Sequence, residues 1–297
     1  MAFEGWNDAG EAASGVVATL REQLDVYPIA EVDPEDYFDY QFNRPTVETD
    51  EEGNRGLMWP GVTMYGPVAP NSTDGAAIYL LLGTEPSRGW KTFTEEIFEA
   101  IEGAEITAVV FLGAMLADVP HTRPISVFTS SENAEVREAL GVERSSYEGP
   151  VGILSVLSDA ADKAGIATVS IWASVPHYVH NSPSPKATLA MIERLEELID
   201  VVIPRGDLVA ESAAWENGID ALAGDDEEMA AYIEQLEQAR DTVDSPEASG
   251  DAIAEEFERY LQRRDGKDGR DGRDNRDNRD GRDNRDGRGF TGDSPMP

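Results

Sequence analysis

Three short apolar runs limit what this chain can become. AIYLLL (77–82), ITAVVFL (106–112) and IATVSIWA (166–173) are continuous and β-rich. A strand with one wet face alternates apolar and polar residues; unbroken runs suit strands buried on both faces. Amphipathic stretches follow each run. WKTFTEEIFEAIEG places Trp90, Phe93, Ile97 and Ile101 on one face and ends at Gly103. GPVGILSVLSDAADKAG ends at Gly165. SPSPKATLAMIERLEELI has Pro185 at its start and carries Leu189, Ile192, Leu195 and Ile199 along one stripe. Strand then helix, repeated, predicts an α/β sandwich with a largely parallel sheet.

Other segments read differently. Residues 29–68 alternate over Tyr37–Phe42, turn at Asp50–Asn54 and contain Trp59-Pro60, which predicts a hairpin or meander at the sheet edge. Residues 208–264 look wholly helical; Met229, Tyr232, Ile233, Leu236, Phe257 and Leu261 either cover an interface or pack on the sheet. Residues 265–288 repeat Asp, then Gly or Asn, then Lys or Arg, with eight acids and eight bases. Nothing apolar there offsets the entropy of ordering, so a disordered tail is expected. The chain thus divides into an α/β domain (1–207), a helical extension packing on it (208–264) and a repeat tail (265–297).

The beginning raises a question. MAFEGWNDAG leads into AGEAASGVVATLREQL, a helix with Val16, Val17, Leu20 and Leu24 on one side and Asp8 placed to cap it. A parallel α/β sheet ordinarily starts with a strand feeding its first helix, yet only Ala2 and Phe3 precede the loop. The expectation is a truncated first strand, the native chain starting some residues earlier.

Charge and composition exclude several classes. The net charge of −35 disfavours direct contact with nucleic-acid phosphates. Cysteine is absent, so thiol catalysis, disulfides and Cys metal sites are excluded. No run of eighteen apolar residues occurs and no signal peptide is visible, which makes a cytoplasmic location the default. G-x-S-x-G, G-x-G-x-x-G, P-loop and H-E-x-x-H motifs are all absent. His177 and His180 are a poor metal pair, so neither metal nor cofactor is expected.

In open α/β sheets, ligands bind beyond the carboxyl ends of the strands. Four loops fall there: GWNDAG, GTEPSRGW, GAMLADVPHTRP and ASVPHYVHNSPSP. Together they hold Asn7, Asp8, Glu85, Arg88, His121, Arg123 and His177, the candidate rim. Arg88 and Arg123 could hold a phosphate or carboxylate, with His121 or His177 as proton carrier and Asp8 or Glu85 orienting a hydroxyl or amine. Each also has a structural reading: Asp8 as helix cap, Glu85 and Arg88 as a local ion pair, Arg123 on loop carbonyls or an acid, the histidines bonded to backbone.

FEGWNDAGEAASG, GTEPSRGW, LGAMLADVPHTRP, YEGPVGILSVL and ASVPHYVHNSPSPKATLAMI, in that order, resemble the proteasome assembly chaperone 2 superfamily, and its actinobacterial branch in particular. The likeness covers residues 3–200 and extends loosely to 264. It implies a three-layer α/β/α fold similar to purine nucleoside phosphorylases. It also implies a non-catalytic binding and assembly role with protein partners, proteasome-related ones included, and homo-oligomers, a trimer among them. The alternative is an enzyme or sensor that binds a nucleoside or phosphate-like anion on the strand-end loops.

Overall fold

A computed structural model of the chain describes residues 1–50, 53–67 and 77–243. The third helix expected in 208–264 and the repeat tail lie outside them. Met1–Asp241 forms one compact unit.

The first strand is present, three residues long. β1 (Ala2–Glu4) pairs in parallel with β6 (Leu80–Thr84), Phe3 opposite Gly83. On its other side the Met1 amine donates to Val110 O (3.0 Å), Leu112 N donates to Met1 O (2.9 Å) and Ala114 N donates to Asn7 O (2.7 Å). These bonds tie β1 to β7 (Ala108–Ala117). Burial pushes the Met1 amine down to about 5. The short first strand expected at Ala2 and Phe3 therefore lies between the two larger sheets, joined to β6 of one and to β7 of the other.

The first sheet continues through β5 (Val62–Pro67) to β2 (Val26–Val32), both pairings antiparallel. In the second, β7 runs parallel to β9 (Ala167–Pro176), and β8 (Val127–Ser130) lies antiparallel beyond it. β3 (Thr46–Thr49) and β4 (Arg55–Met58) form a separate antiparallel hairpin. The sheets are mixed, with antiparallel pairings outnumbering the parallel ones among the described residues, contrary to the largely parallel sheet expected. The apolar runs do form the parallel pairs; the extra antiparallel ones come from the 26–67 meander and from β8, whose short Val-Phe-Thr-Ser pattern gave no signal.

The helices follow the apolar stripes: α1 (Ala12–Gln23), α2 (Trp90–Gly103), α4 (Ile153–Lys163) and α5 (Pro185–Ile199), with α3 (Ala134–Leu140) unforeseen. α6 (Leu208–Gly224) and α7 (Glu227–Val243) come next, and α6 packs on α5. The core consists of two clusters. Ala13, Val16, Val17 and Leu20 of α1 join Met191 and Ile192 of α5; Phe93, Ile97 and Ile101 of α2 join Ile153, Leu154 and Leu157 of α4. Strand neighbours alternate between the clusters: Ala2 then Phe3, Leu80 then Leu81, Phe111 then Leu112. Unbroken apolar runs result, because both strand faces are dry.

The alternation at Tyr37–Phe42 is not a strand. Asp33 accepts from Glu35 N and Pro34 occupies the first turn position, so a 3-10 turn (Pro34–Asp36) starts there. Tyr37 and Phe38 then fold into the core.

Candidate functional site

Parallel strands deliver their following turns to one edge, and the loops after β1, β6, β7 and β9 all leave from carboxyl ends. The candidate residues separate there into distinct groups.

Asp8 and Glu85 serve helix starts, and Asn7 lies beside the second with its buried Oδ1 without a hydrogen-bond partner among the described residues. The Asp8 carboxylate accepts from Ala13 N (2.8 Å) and Ser14 N (3.1 Å), satisfying first-turn donors of α1. Burial pushes the Asp8 carboxyl above its ordinary value, while the Ser14 and Ala13 bonds pull it down. Gly10 makes the entry to α1 with φ of +59°, where a Cβ would stand 2.9 Å from Ser184 Cβ. Glu85 Oε1 accepts from Ile153 N (2.8 Å) at the start of α4. Asn7 Oδ1 lies against the same place: a Cβ on Gly152 would stand 1.9 Å from it and 2.7 Å from Glu85 Oε1. Asn7 and Glu85 are thus neighbours across Gly152.

Arg88 faces elsewhere. Its guanidinium donates to Asp36 O (3.1 Å) and Glu35 O (2.9 Å), closing the 3-10 turn. The ion pair with Glu85 considered from sequence does not form, since Glu85 is engaged at α4 and Arg88 at these carbonyls.

His121, Arg123 and His177 form the third group, against α6 and α7. His121 is fully buried. Its backbone N donates to Tyr178 Oη (2.7 Å), and Nδ1 lies 2.9 Å from the same oxygen. Since Tyr178 Oη accepts from the backbone, its own proton points at Nδ1, which leaves Nε2–H to donate to Asp220 (3.0 Å). Burial pushes the Tyr178 phenol up to about 12 and keeps that proton in place. Both ring nitrogens of His121 are therefore occupied. Its carbonyl accepts from Lys186 Nζ, which also pairs with Glu216 (2.6 Å). Arg123 grips Asp241 with Nε and Nη2, each at 2.8 Å, and reaches Glu237 at 3.3 Å. Thr122 Oγ1 donates to Glu237 as well. The hydrogen bond from Arg123 holds the Asp241 carboxyl below its usual range. His177 Nδ1 stands 3.2 Å from Asp118 Oδ1, and its ring meets Tyr178 and Tyr232 edge-on at 5.7 and 5.6 Å.

The loop 120–124 is thus a clamp on α6 and α7. Sequence reasoning missed its acidic half: Glu216 and Asp220 on α6, Glu237 and Asp241 on α7. The signal existed, because each pair is spaced i, i+4 and lies on one helix face. The arrangement can hold helices; its cations are already neutralised. Among the described residues no three His, Cys, Asp or Glu side chains are placed to share a metal ion. Hollows of about 60 Å³ between β2 and α2 and about 520 Å³ beside β8 and α5 are not lined by any candidate rim residue.

The family model described as PAC2 family matches residues 2–223, and the chain belongs to the PAC2 family. It is similar to the structure of a PAC2 family protein from Streptomyces avermitilis, with 43% identity, 78% of this chain and 97% of that one covered, and a TM-score of 0.70. A proteasome-assembly chaperone homologue from Mycobacterium tuberculosis is 42% identical over 78% of this chain and 98% of its own, with a TM-score of 0.69. An archaeal homologue of proteasome-assembly chaperone from Pyrococcus furiosus shares the fold at 19% identity and a TM-score of 0.53, covering 79% and 92%. No curated protein matches.

Proposed function

We propose that this PAC2 protein is a non-catalytic binding and assembly protein of the proteasome assembly chaperone kind, acting in the cytoplasm as a homo-oligomer. The observation that carries the reading is the 42% identity with the mycobacterial proteasome-assembly chaperone homologue, over nearly the whole of that protein. The strand-end loops support it. An anion site needs free cations, whereas Arg123 is engaged with Asp241 and Glu237 and Arg88 with backbone carbonyls. A proton carrier needs an open nitrogen, and both nitrogens of His121 are engaged. We therefore read Asp8, Glu85, Arg88, His121 and Arg123 as scaffold, with Asn7 and His177 beside them, and set aside the nucleoside- or phosphate-binding alternative.

The same reading takes the two core clusters as the two sides of a three-layer α/β/α sandwich of phosphorylase-like type, α1 and α5 on one side, α2 and α4 on the other. It takes 1–207 as the α/β domain and, of the expected extension 208–264, the part over 208–241 as held to it by the 120–124 clamp; residues 244–264 lie outside the described residues. Affinity capture of the tagged protein from its native extract tests the function. Enrichment of proteasome subunits is expected; recovery of the protein with none enriched would contradict it.

A further inference from the structure

The β2 end of the first sheet carries apolar side chains that no helix covers fully. Register and distance place them on one face. Ala30 pairs with Met64 and Met64 with Leu81, so these three share a rung. Gly66, two residues on from Met64, lies on the same face, and Tyr27 is opposite it. A Cβ on Gly66 would stand 2.8 Å from Tyr79 Cε1 and 3.0 Å from Ile29 Cδ1, so both side chains reach over the glycine. The apolar surface is thus continuous from Ala30, Met64 and Leu81 to Ile29, Tyr27 and Tyr79. Tyr27 is 54% exposed and Ile29 51%.

The hollow of about 60 Å³ between β2 and α2 adjoins the first of these rungs. Ala30, Met64 and Leu81 line it from the sheet, Ile97 and Ala100 from α2. Two acids line it as well, Glu31 and Glu96, and no Lys or Arg does. Tyr37 Oη donates to the Glu96 carboxylate (2.7 Å). This geometry limits what can dock. β2 ends its sheet, but Pro28 has no N–H and the register slips between Pro28 and Ala30, so the edge is a poor template for another strand. A groove between a helix and a sheet face instead takes the apolar stripe of an amphipathic helix. Acids with no base among the lining residues select a helix that carries Lys or Arg beside that stripe. A second copy of this chain, at a net charge of −35, matches that charge badly.

We propose that this face is the docking site for a basic amphipathic helix of a protein partner. One apolar side chain of the helix enters the hollow over Met64 and Leu81. The next turn rests on Ile29 and Tyr27, and its bases meet Glu31 and Glu96. This rests on the assembly reading above and gives the chemistry of the partner.

A synthetic Leu/Lys helix, with leucine at i, i+3, i+4 and i+7, is the probe. Its counterpart has Glu in place of every Lys. Each is titrated into the isotope-labelled full chain and followed by NMR. Saturable binding of the Lys peptide is expected, with the amides of Tyr27, Ile29, Gly66 and Ala100 shifting, and none of the Glu peptide. Ile29→Asp should weaken binding at least ~10-fold. That substitution adds an acid, so mere charge attraction would strengthen binding instead. Glu31→Lys should weaken it about 3-fold, the scale of one exposed ion pair. Both positions are exposed, and circular dichroism checks that the variants fold. No binding, shifts confined to other surfaces, or unchanged affinity in Ile29→Asp would each overturn the site. Affinity capture separates this from the assembly reading. Proteasome subunits enriched equally by wild type and Ile29→Asp would overturn the surface alone; none enriched by wild type would overturn the assembly reading, and the peptide titration would still decide the surface.

Discussion

The loop 120–124 and the β3–β4 hairpin make opposite use of polar and apolar side chains. In the loop, Pro-His-Thr-Arg-Pro looks like chemistry, and its polar groups are matched within the chain: His121 to Tyr178 and Asp220, Thr122 to Glu237, Arg123 to Asp241. In the hairpin, Thr-Val-Glu-Thr and Arg-Gly-Leu-Met look like an ordinary sheet edge, and no residue of the two strands is buried. The difference teaches that a motif of reactive residue types can be saturated by partners 57 to 118 positions away, whereas a bland segment can carry the available surface. Reactivity belongs to unengaged groups, and residue type alone does not report engagement.

Substitutions sharpen this contrast. The largest effect is expected at His121. His121→Ala removes a fully buried ring and strips Tyr178 and Asp220 of a partner, a loss of about 3 kcal/mol. In a domain of this size that is ~6–12 °C in melting temperature, read by calorimetry. Asp8→Ala leaves two first-turn donors of α1 without an acceptor and should cost about 1 kcal/mol. Chemical denaturation with unchanged slope is the check.

Arg123→Ala should show itself mainly through pH. With Arg123 present, the folded-state value of Asp241 is below its unfolded value of 3.8. That contribution is therefore complete above 3.8 and is lost as pH falls through the lowered value. Removing Arg123 should erase this acid-dependent portion, so the wild-type and variant stability curves converge below pH 3.8 and separate above it. Parallel curves across the range would break the clamp account. Leu57→Ala should move fold stability least, within about ±0.5 kcal/mol, because the side chain is exposed on a hairpin outside the core.

Much of the fold was legible because burial on both faces leaves an unmistakable pattern. Phe93, Ile97 and Ile101 predicted α2, and the run before Gly113 predicted β7, since those side chains have no solvent option. β1 was legible only as a remnant at Ala2 and Phe3, for the converse reason: three residues hold no period, and its place beside β6 and β7 depends on hydrogen bonds to distant backbone. Tyr37 and Phe38 misled, because local chemistry at Asp33-Pro34 overrode an alternating pattern. In the site, Asp8 was readable as a cap because that interaction is local. The partners of His121 and Arg123 were not, because Asp220 is 99 positions away and Asp241 118, and helix-face acids are ordinary surface residues until something basic meets them.

The central claim is that the 120–124 loop exists to hold α6 and α7. Amide hydrogen exchange over 208–241, measured in wild type and in His121→Ala, tests it most directly. The account predicts faster exchange confined to those two helices and the loop, with α2 and α4 unchanged. Equal protection of 208–241 in the two proteins would contradict it.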